Sequence, residues 1–348
     1  MAKLTTKTVR MLRITLLLVA IICTLVFTPW SLLLAWLSPL PATVQQQVED
    51  AVKLGLDGII VYTDNEQQPT LYAAGWHNRQ QQQVADPQAY FKIASISKLY
   101  IAAATVKLIN QQRLALDNSL ADLLPQLAAH IANADKISLR MLLQHRSGIA
   151  NFTDHPDYPW PNLPDNQGAL AFVLDQPANF EPDQQYQYSN TNYLLIGEIM
   201  DTTLGYSHHQ YIHEAILQPL GLQHTFSLLS DVPINQVMSG YSVGYEPDIK
   251  SNDYTNPGGS MVATAGDVGM FLRALNNGTL LNEQEMAIYR SVYPMEHTGL
   301  LPGYSSIARY HQDIDTVVIQ FVNTSGGVSW TMTEIVYQRI VKIISASQ

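Results

Sequence analysis

Apolar and polar positions divide the chain into strand-like stretches near both ends and helical periodicity between them. "GIIVYTD" (Gly58 to Asp64) and "TLYAAGW" (Thr70 to Trp76) read as two strands of a meander joined by a polar turn. "YSSIARYHQ" and "DTVVIQFVNTS" read as a second pair near the C-terminus, and "SWTMTEIVYQRIVKII" as an amphipathic terminal helix. Residues 43–57 predict a helix ended by Gly55, and a further helix is expected from Ser95 to about Arg113. Residues 114–230 are mostly helix and loop. The loop from His155 to Gly168 contains four prolines and cannot be a regular element.

This order predicts an α/β (α+β) architecture. One antiparallel sheet is built from both ends of the chain, flanked by the first and last helices, with an all-helical lobe inserted. The expected boundaries are residues 43–94 and 290–348 for the α/β lobe and about 114–285 for the helical lobe. A cleft between the lobes is the expected site.

Ahead of this domain, residues 1–13 carry Lys3, Lys7, Arg10 and Arg13 and no acid. A run of 24 residues without charge follows, from Ile14 to Leu37. As one helix it would span about 36 Å, enough for a bilayer core of ~30 Å. The basic flank places the N-terminus in the cytoplasm and the rest outside. The run exceeds the ~7–15 apolar residues of a cleaved signal, and "SPLPA" is a poor cleavage site, so an uncleaved anchor within residues 1–42 is the favoured reading.

Composition narrows the chemistry. The 348 residues are 47% hydrophobic and 14% charged, enough for a large core. Without the four cations of residues 1–42, 15 basic residues face 29 acidic ones, a net charge of −14, which disfavours a nucleic-acid partner. Cys23 is the one cysteine, which excludes a disulfide framework, a thiolate metal site or a cysteine nucleophile from the folded part.

Three short segments could carry a reaction. In "FKIASISKLYIAAATVKL" (Phe91 to Leu108), Ser95 and Lys98 would share one helical face, with Cβ atoms ~5–6 Å apart. A serine hydroxyl needs a base, and a lysine buried by the apolar helix behind it could be one. Ser97 falls on another face, and Lys92 lies in the extended segment before the helix. Read alone, Ser95 and Lys98 are more simply an N-cap serine and a solvated lysine. In "YQYSNTNYLLIGEIM", Tyr188 could relay a proton if its pKa were lowered, and Asn190 could hold a substrate amide. Alone it is a packed tyrosine before a capped helix. In "MEHTGLLPGYSSIARY", His297, Thr298 and Gly299 open an edge-strand-like segment where Gly299 lets a ligand approach the backbone and frees the Leu300 N–H. Alone it is a strand with a glycine bend.

Together, S-x-x-K, Y-S-N and H-T-G in this order resemble the serine β-lactamase-like and penicillin-binding-protein-like hydrolases. More closely they resemble the class C β-lactamase and D-Ala-D-Ala carboxypeptidase branch, which includes esterases. "LLQHRSGI", "FEPDQQYQYSNTNYLLIGEIM" and "PGGSMVATAGDVGMFLRALNNG" extend the resemblance over about residues 45–345. It implies Ser95 as the acylated nucleophile and Lys98 as its base or proton relay. Tyr188 would protonate the leaving group and then activate the deacylating water. Asn190 would hold the substrate amide, and the Ser95 and Leu300 N–H groups would form an oxyanion hole. His297, Thr298 and Gly299 would face the carboxylate or leaving-group side.

Three departures qualify this. His297 replaces a lysine and would titrate near pH 6.5, the segment before it is short for an extra strand, and Asp183 stands where glycine is usual.

Competing signals are weaker. "GYSVG" (Gly240 to Gly244) matches a nucleophile elbow but lacks the strand and helix that should flank it. His209 and His213 are four apart, but no third metal ligand is evident, and His145 reads as a structural hydrogen bonder. Tyr158 and Trp160 fit either a cleft wall or a stiffened surface loop. The expected function is a serine hydrolase forming an acyl-enzyme, with a D-Ala-D-Ala-type peptidase first, an esterase second and a β-lactamase third. A catalytically idle relative that binds cell-wall peptide is the non-enzyme reading. Substrates would be small peptides, esters or β-lactams, with the membrane a partner through the N-terminal helix. No metal or organic cofactor is implied.

Overall fold

The computed structural model describes residues 5–65 and 68–347; Lys3 and part of the first hairpin turn lie outside them. The sheet strands are β1 (Gly58–Asp64), β2 (Thr70–Asn78), β3 (Gln83–Val84), β4 (His297–Leu301), β5 (Tyr304–His311) and β6 (Thr316–Val322). Their spatial order is β3-β2-β1-β6-β5-β4. The two chain ends meet where β1 pairs antiparallel with β6, with Ile59 opposite Val322 and Thr63 opposite Val318. The expected strand pairs therefore form a single sheet.

Alternate side chains of each strand face opposite layers. Ile59, Val61, Ile307, Val318 and Val322 pack toward helices α3 (Val44–Lys53) and, at the C-terminus, α8 (Ser329–Ala346), joined by Val48, Val336 and Ile340. Ile60, Tyr62, Val317, Ile319 and Phe321 face the other way, into the larger core. That core is shared with α4 (Ser97–Asn110), α5 (Asn190–Leu204), α6 (Ala265–Asn277) and α7 (Glu283–Val292). Helix α6 lies tightly on the sheet at Gly269, where an added Cβ would come within 2.1 Å of the Tyr62 ring. No strand precedes β4 after α7, so β4 is a free edge, as the short spacing before His297 suggested.

The N-terminal apolar run is not one helix. Helix α1 (Thr6–Phe27) ends at Thr28, which is extended at ψ 127°, and α2 (Trp30–Leu37) starts after Pro29. Proline lacks an N–H and disfavours helical geometry in the residue before it. No residue of α1 is buried, and it is long and apolar enough to cross a membrane. Helix α2 instead packs on α8 through Ala35, which is 1% exposed.

Candidate active site

The chain enters the site along the short strand Phe91–Lys92, turns through a 3₁₀ segment (Ala94–Ile96) and only then begins α4. Ser95 is therefore not an N-cap, contrary to the expected helix start. The turn is set by tertiary contacts. Ala94 has φ +51°, a left-handed conformation rare for alanine. The Ser97 hydroxyl donates to Ala94 O at 2.6 Å and accepts from Met261 N–H at 3.2 Å. Ser306 Oγ donates to Ile93 O at 3.1 Å. Gly299 of β4 lies against the same turn: an added Cβ would sit 2.3 Å from Ile93 O and 3.1 Å from the Ala94 methyl. Ser97 thus braces the turn rather than merely facing away.

The structure brings Ser95, Lys98, Tyr188 and Asn190 together. Lys98 Nζ lies 3.1 Å from Ser95 Oγ, 2.8 Å from Asn190 Oδ1 and 2.6 Å from Gly258 O. The side chain is fully buried, and burial alone pushes its pKa well below the ordinary lysine value. A neutral amine has two N–H bonds and one lone pair. With Asn190 Oδ1 and Gly258 O taking the two hydrogens, the lone pair is left toward the Ser95 hydroxyl. Gly258 must be glycine for this approach, since an added Cβ would lie 2.9 Å from both Lys98 Nζ and Tyr193 Cβ.

The Tyr188 hydroxyl donates to Ser95 Oγ at 2.8 Å, with Lys98 Nζ 5.1 Å from its ring centre. Burial raises the phenol pKa, outweighing the opposing hydrogen bond to Ser95. The lowered pKa that was the condition for such a relay is not met, and at rest Tyr188 is a protonated donor. Asn190 is also more committed than expected. Its Oδ1 accepts from Lys98, its Nδ2 donates to Thr153 Oγ1 at 3.1 Å, and its backbone N–H donates to Asn151 Oδ1 at 2.9 Å. One Nδ2 hydrogen is left for a substrate.

His297 stacks on Tyr293 with ring centres 5.8 Å apart and has Tyr188 at 6.3 Å; its Nδ1 hydrogen bonds Thr298 O. Burial, and secondarily Lys98, lower its pKa to about 4. The expected titration near pH 6.5 is thereby corrected, and His297 is neutral in the neutral range. Its neighbours Thr298 and Gly299 continue β4 past the nucleophile turn. Leu300 and Ser95, the two residues expected to supply oxyanion N–H groups, face one narrow cleft of about 30 Å3. Thr153, Trp160, Asn190, Tyr254 and Gly259 are among its other walls. Trp160 is held edge-on to the buried Tyr158 at 5.0 Å, which makes the proline-rich loop a packed wall. Roomier cavities, one of about 660 Å3 beside His77 and Tyr90, lie away from Ser95 and hold no comparable nucleophile and base.

Other expectations resolve simply. Asp183 adopts φ +66°, the conformation that favours glycine, while its side chain pairs with Arg146 Nε at 2.5 Å. Aspartate is among the residues that tolerate this region. Lys92 is buried away from Ser95 and donates to Asn252 O at 2.6 Å; burial lowers its pKa to about 8. Ser242 of "GYSVG" lies on a two-residue strand followed by a turn, so no elbow forms. No cluster able to hold a metal occurs among the described residues, His209 and His213 included. Three contributors were missed by sequence reasoning: the Gly258 carbonyl, Thr153 and Tyr254. The first lay inside the noted "PGGS" turn, but the other two carry no local signal.

The same fold is found in proteins of known structure. D-amino acid amidase from Ochrobactrum anthropi SV3 superposes with a TM-score of 0.77 at 22% identity, over 87% of this chain and 98% of that one. EstCE1, a hydrolase with promiscuous acyltransferase activity, does so with a TM-score of 0.69 at 19% identity, over 90% and 99%. The putative penicillin-binding protein PbpX of Bacillus subtilis is 23% identical over 298 residues, 80% of this chain and 73% of that protein. Other curated relatives match over shorter stretches, the chain spanning 29% to 50% of their length. The Beta-lactamase family model matches residues 42–296, ending one residue before His297. With a match over most of its length and this fold around Ser95, the chain is a serine hydrolase that belongs to the Beta-lactamase family.

Proposed function

We propose that the protein hydrolyses small amides, of which D-aminoacyl amides are the first candidates, through an acyl-enzyme on Ser95. The observation that carries the reading is the Ser95 hydroxyl held between the buried Lys98 amine and the Tyr188 phenol. As Ser95 Oγ bonds to the acyl carbon, its proton passes to Lys98 Nζ, and the carbonyl becomes an oxyanion facing the Ser95 and Leu300 N–H groups. The C–N bond then breaks as Tyr188 gives its proton to the leaving nitrogen and regains one from Lys98. Water, deprotonated by the same pair, cleaves the Ser95 ester and returns the hydroxyl.

The lining of the cleft favours an uncharged leaving side. None of the residues around it is charged, and His297 is neutral. This ranks an amidase-like substrate ahead of a carboxylate-terminated D-Ala-D-Ala peptide, and a β-lactam last. The D configuration is suggested by the amidase that shares the fold. An esterase is the second reading, favoured by the likeness to EstCE1.

We further propose that α1 is an uncleaved membrane anchor with the hydrolase outside. Cleavage after residue 42 would remove partners of a buried side chain, since Arg339 donates to Ser38 O and Pro39 O at 2.8 Å each. The test is a fluorophosphonate label on the purified full chain, then turnover of a D-aminoacyl amide, a D-Ala-D-Ala peptide and a p-nitrophenyl ester. A mass adduct on Ser95, absent in Ser95→Ala, with the amide fastest, is the expected result. Absence of the adduct in folded protein would overturn the enzymatic reading; a faster ester would replace the first substrate class by the second.

A further inference from the structure

Helix α2 has no polar outer face. Ser31, Leu32 and Ala35 turn toward α8, while Trp30, Leu33, Leu34, Trp36 and Leu37 turn outward. Trp36 is 71% exposed, Leu37 62% and Leu34 55%. Apolar residues of this size on one exposed helix mark a surface that is covered by something. Two features identify what covers it.

The first is continuity with α1. Helix α1 ends at Phe27 and only Thr28 and Pro29 separate it from α2, so a span through α1 brings α2 to the membrane boundary. The second is chemistry. Tryptophans concentrate at membrane-water interfaces, where an apolar ring meets headgroups, and α2 places Trp30 and Trp36 there. Trp30 Nε1 also donates to Leu25 O at 2.9 Å, tying the two helices across Pro29.

We propose that α2 lies in the outer headgroup layer of a bilayer and, through α8, fixes the back of the sheet against the lipid. The inference rests on α1 being a membrane helix. Arg339 is the bracket: buried on α8, it donates to Ser38 O, Pro39 O and Gln47 Oε1, so the chain leaving α2 is held rather than tethered. The Ser95 turn packs on the opposite face of the sheet, through Ser306. With a helix layer and the sheet between them, the cleft stands on the order of 20 Å above the lipid. It therefore opens to water-borne amides and away from acyl chains in the bilayer.

The test uses the full chain in nanodiscs, with Cys23→Ser as background and single nitroxide labels at Val19→Cys, Leu34→Cys, Trp36→Cys and Asn162→Cys. All four positions are exposed, which protects the fold. Labels at 19, 34 and 36 are expected to collide with dissolved oxygen and lose access to a water-soluble nickel chelate, while 162 keeps it. Nickel access at 34 and 36 equal to that at 162, with 19 shielded, would overturn the interfacial helix and leave the anchor standing. Nickel access at 19 as well would overturn both.

Discussion

His145 holds Tyr188 from three directions. The imidazole ring lies 4.5 Å from the phenol ring. The N–H groups on either side of Tyr188 both donate to the same histidine, Gln187 N to His145 O at 2.9 Å and Ser189 N to His145 Nδ1 at 3.2 Å. Asn192 Nδ2 lies 3.3 Å from the same nitrogen, and burial lowers the His145 pKa to about 3. A neutral imidazole that accepts through Nδ1 is a positioning group for the tyrosine, not a base.

His145→Ala should lower kcat by about 100-fold with little change in KM, because a displacement near 1 Å at a reacting group has an effect of that order. His145→Asn, whose side-chain oxygen can replace Nδ1 as acceptor, should recover most of it. Equal defects in the two variants would remove the positioning role.

Lys98→Met should abolish base action, a loss of roughly 10²–10⁴-fold in kcat/KM. It should also flatten the pH dependence of stability. The folded-state pKa of Lys98 lies below its unfolded value of about 10.4, so the unfolded chain binds the extra proton between the two. Wild-type stability thus rises with pH through that window, and denaturant titrations of Lys98→Met should lack this component.

Acid should act through the two histidines. His145 and His297 have folded pKa values of about 3 and about 4, below the ordinary 6.5. The unfolded state therefore gains protons first, and stability falls as pH drops below 6.5 toward those values. For the fully buried His145 the slope approaches about 1.4 kcal/mol per pH unit. His145→Asn should be measurably less acid-sensitive in thermal melts from pH 7 to 4.

His297→Lys should place a cation where the cleft now has none. Acylation by a β-lactam or a carboxylate-terminated peptide should rise by about tenfold or more relative to a neutral amide. An unchanged ratio would show that the leaving-side charge is not read at this position.

Gly299→Ala should lower activity by about 100-fold. Its Cβ would meet Ile93 O at 2.3 Å and Ser306 Oγ at 2.3 Å, so β4 must move away from the Ser95 turn. Labelling by the fluorophosphonate probe should slow while the melting temperature falls only modestly.

Sequence patterns made much of the fold legible because strands and amphipathic helices repeat locally. Gly58–Asp64 and the terminal helix needed nothing more. The spacing of Ser95 and Lys98 was legible for the same reason. Pro29 was a readable break passed over in favour of the apolar run around it. Other features have no local origin. The left-handed Ala94 is imposed by Ser97, Ser306 and Gly299, and alanine gives no hint of it. The charge states of Lys98, Tyr188 and His297 arise from burial among segments far apart in sequence.

The position of β6 in the sheet also has a consequence in time. Strands β4 and β5 reach the rest of the sheet only through β6, which pairs with β1 on its other side. The backing that Gly299 and Ser306 give the nucleophile turn is therefore absent until about residue 322 has been synthesised. A nascent chain already carrying Ser95, Lys98 and Tyr188 lacks the assembled centre, and reactivity is expected only after β6 has joined β1 and β5.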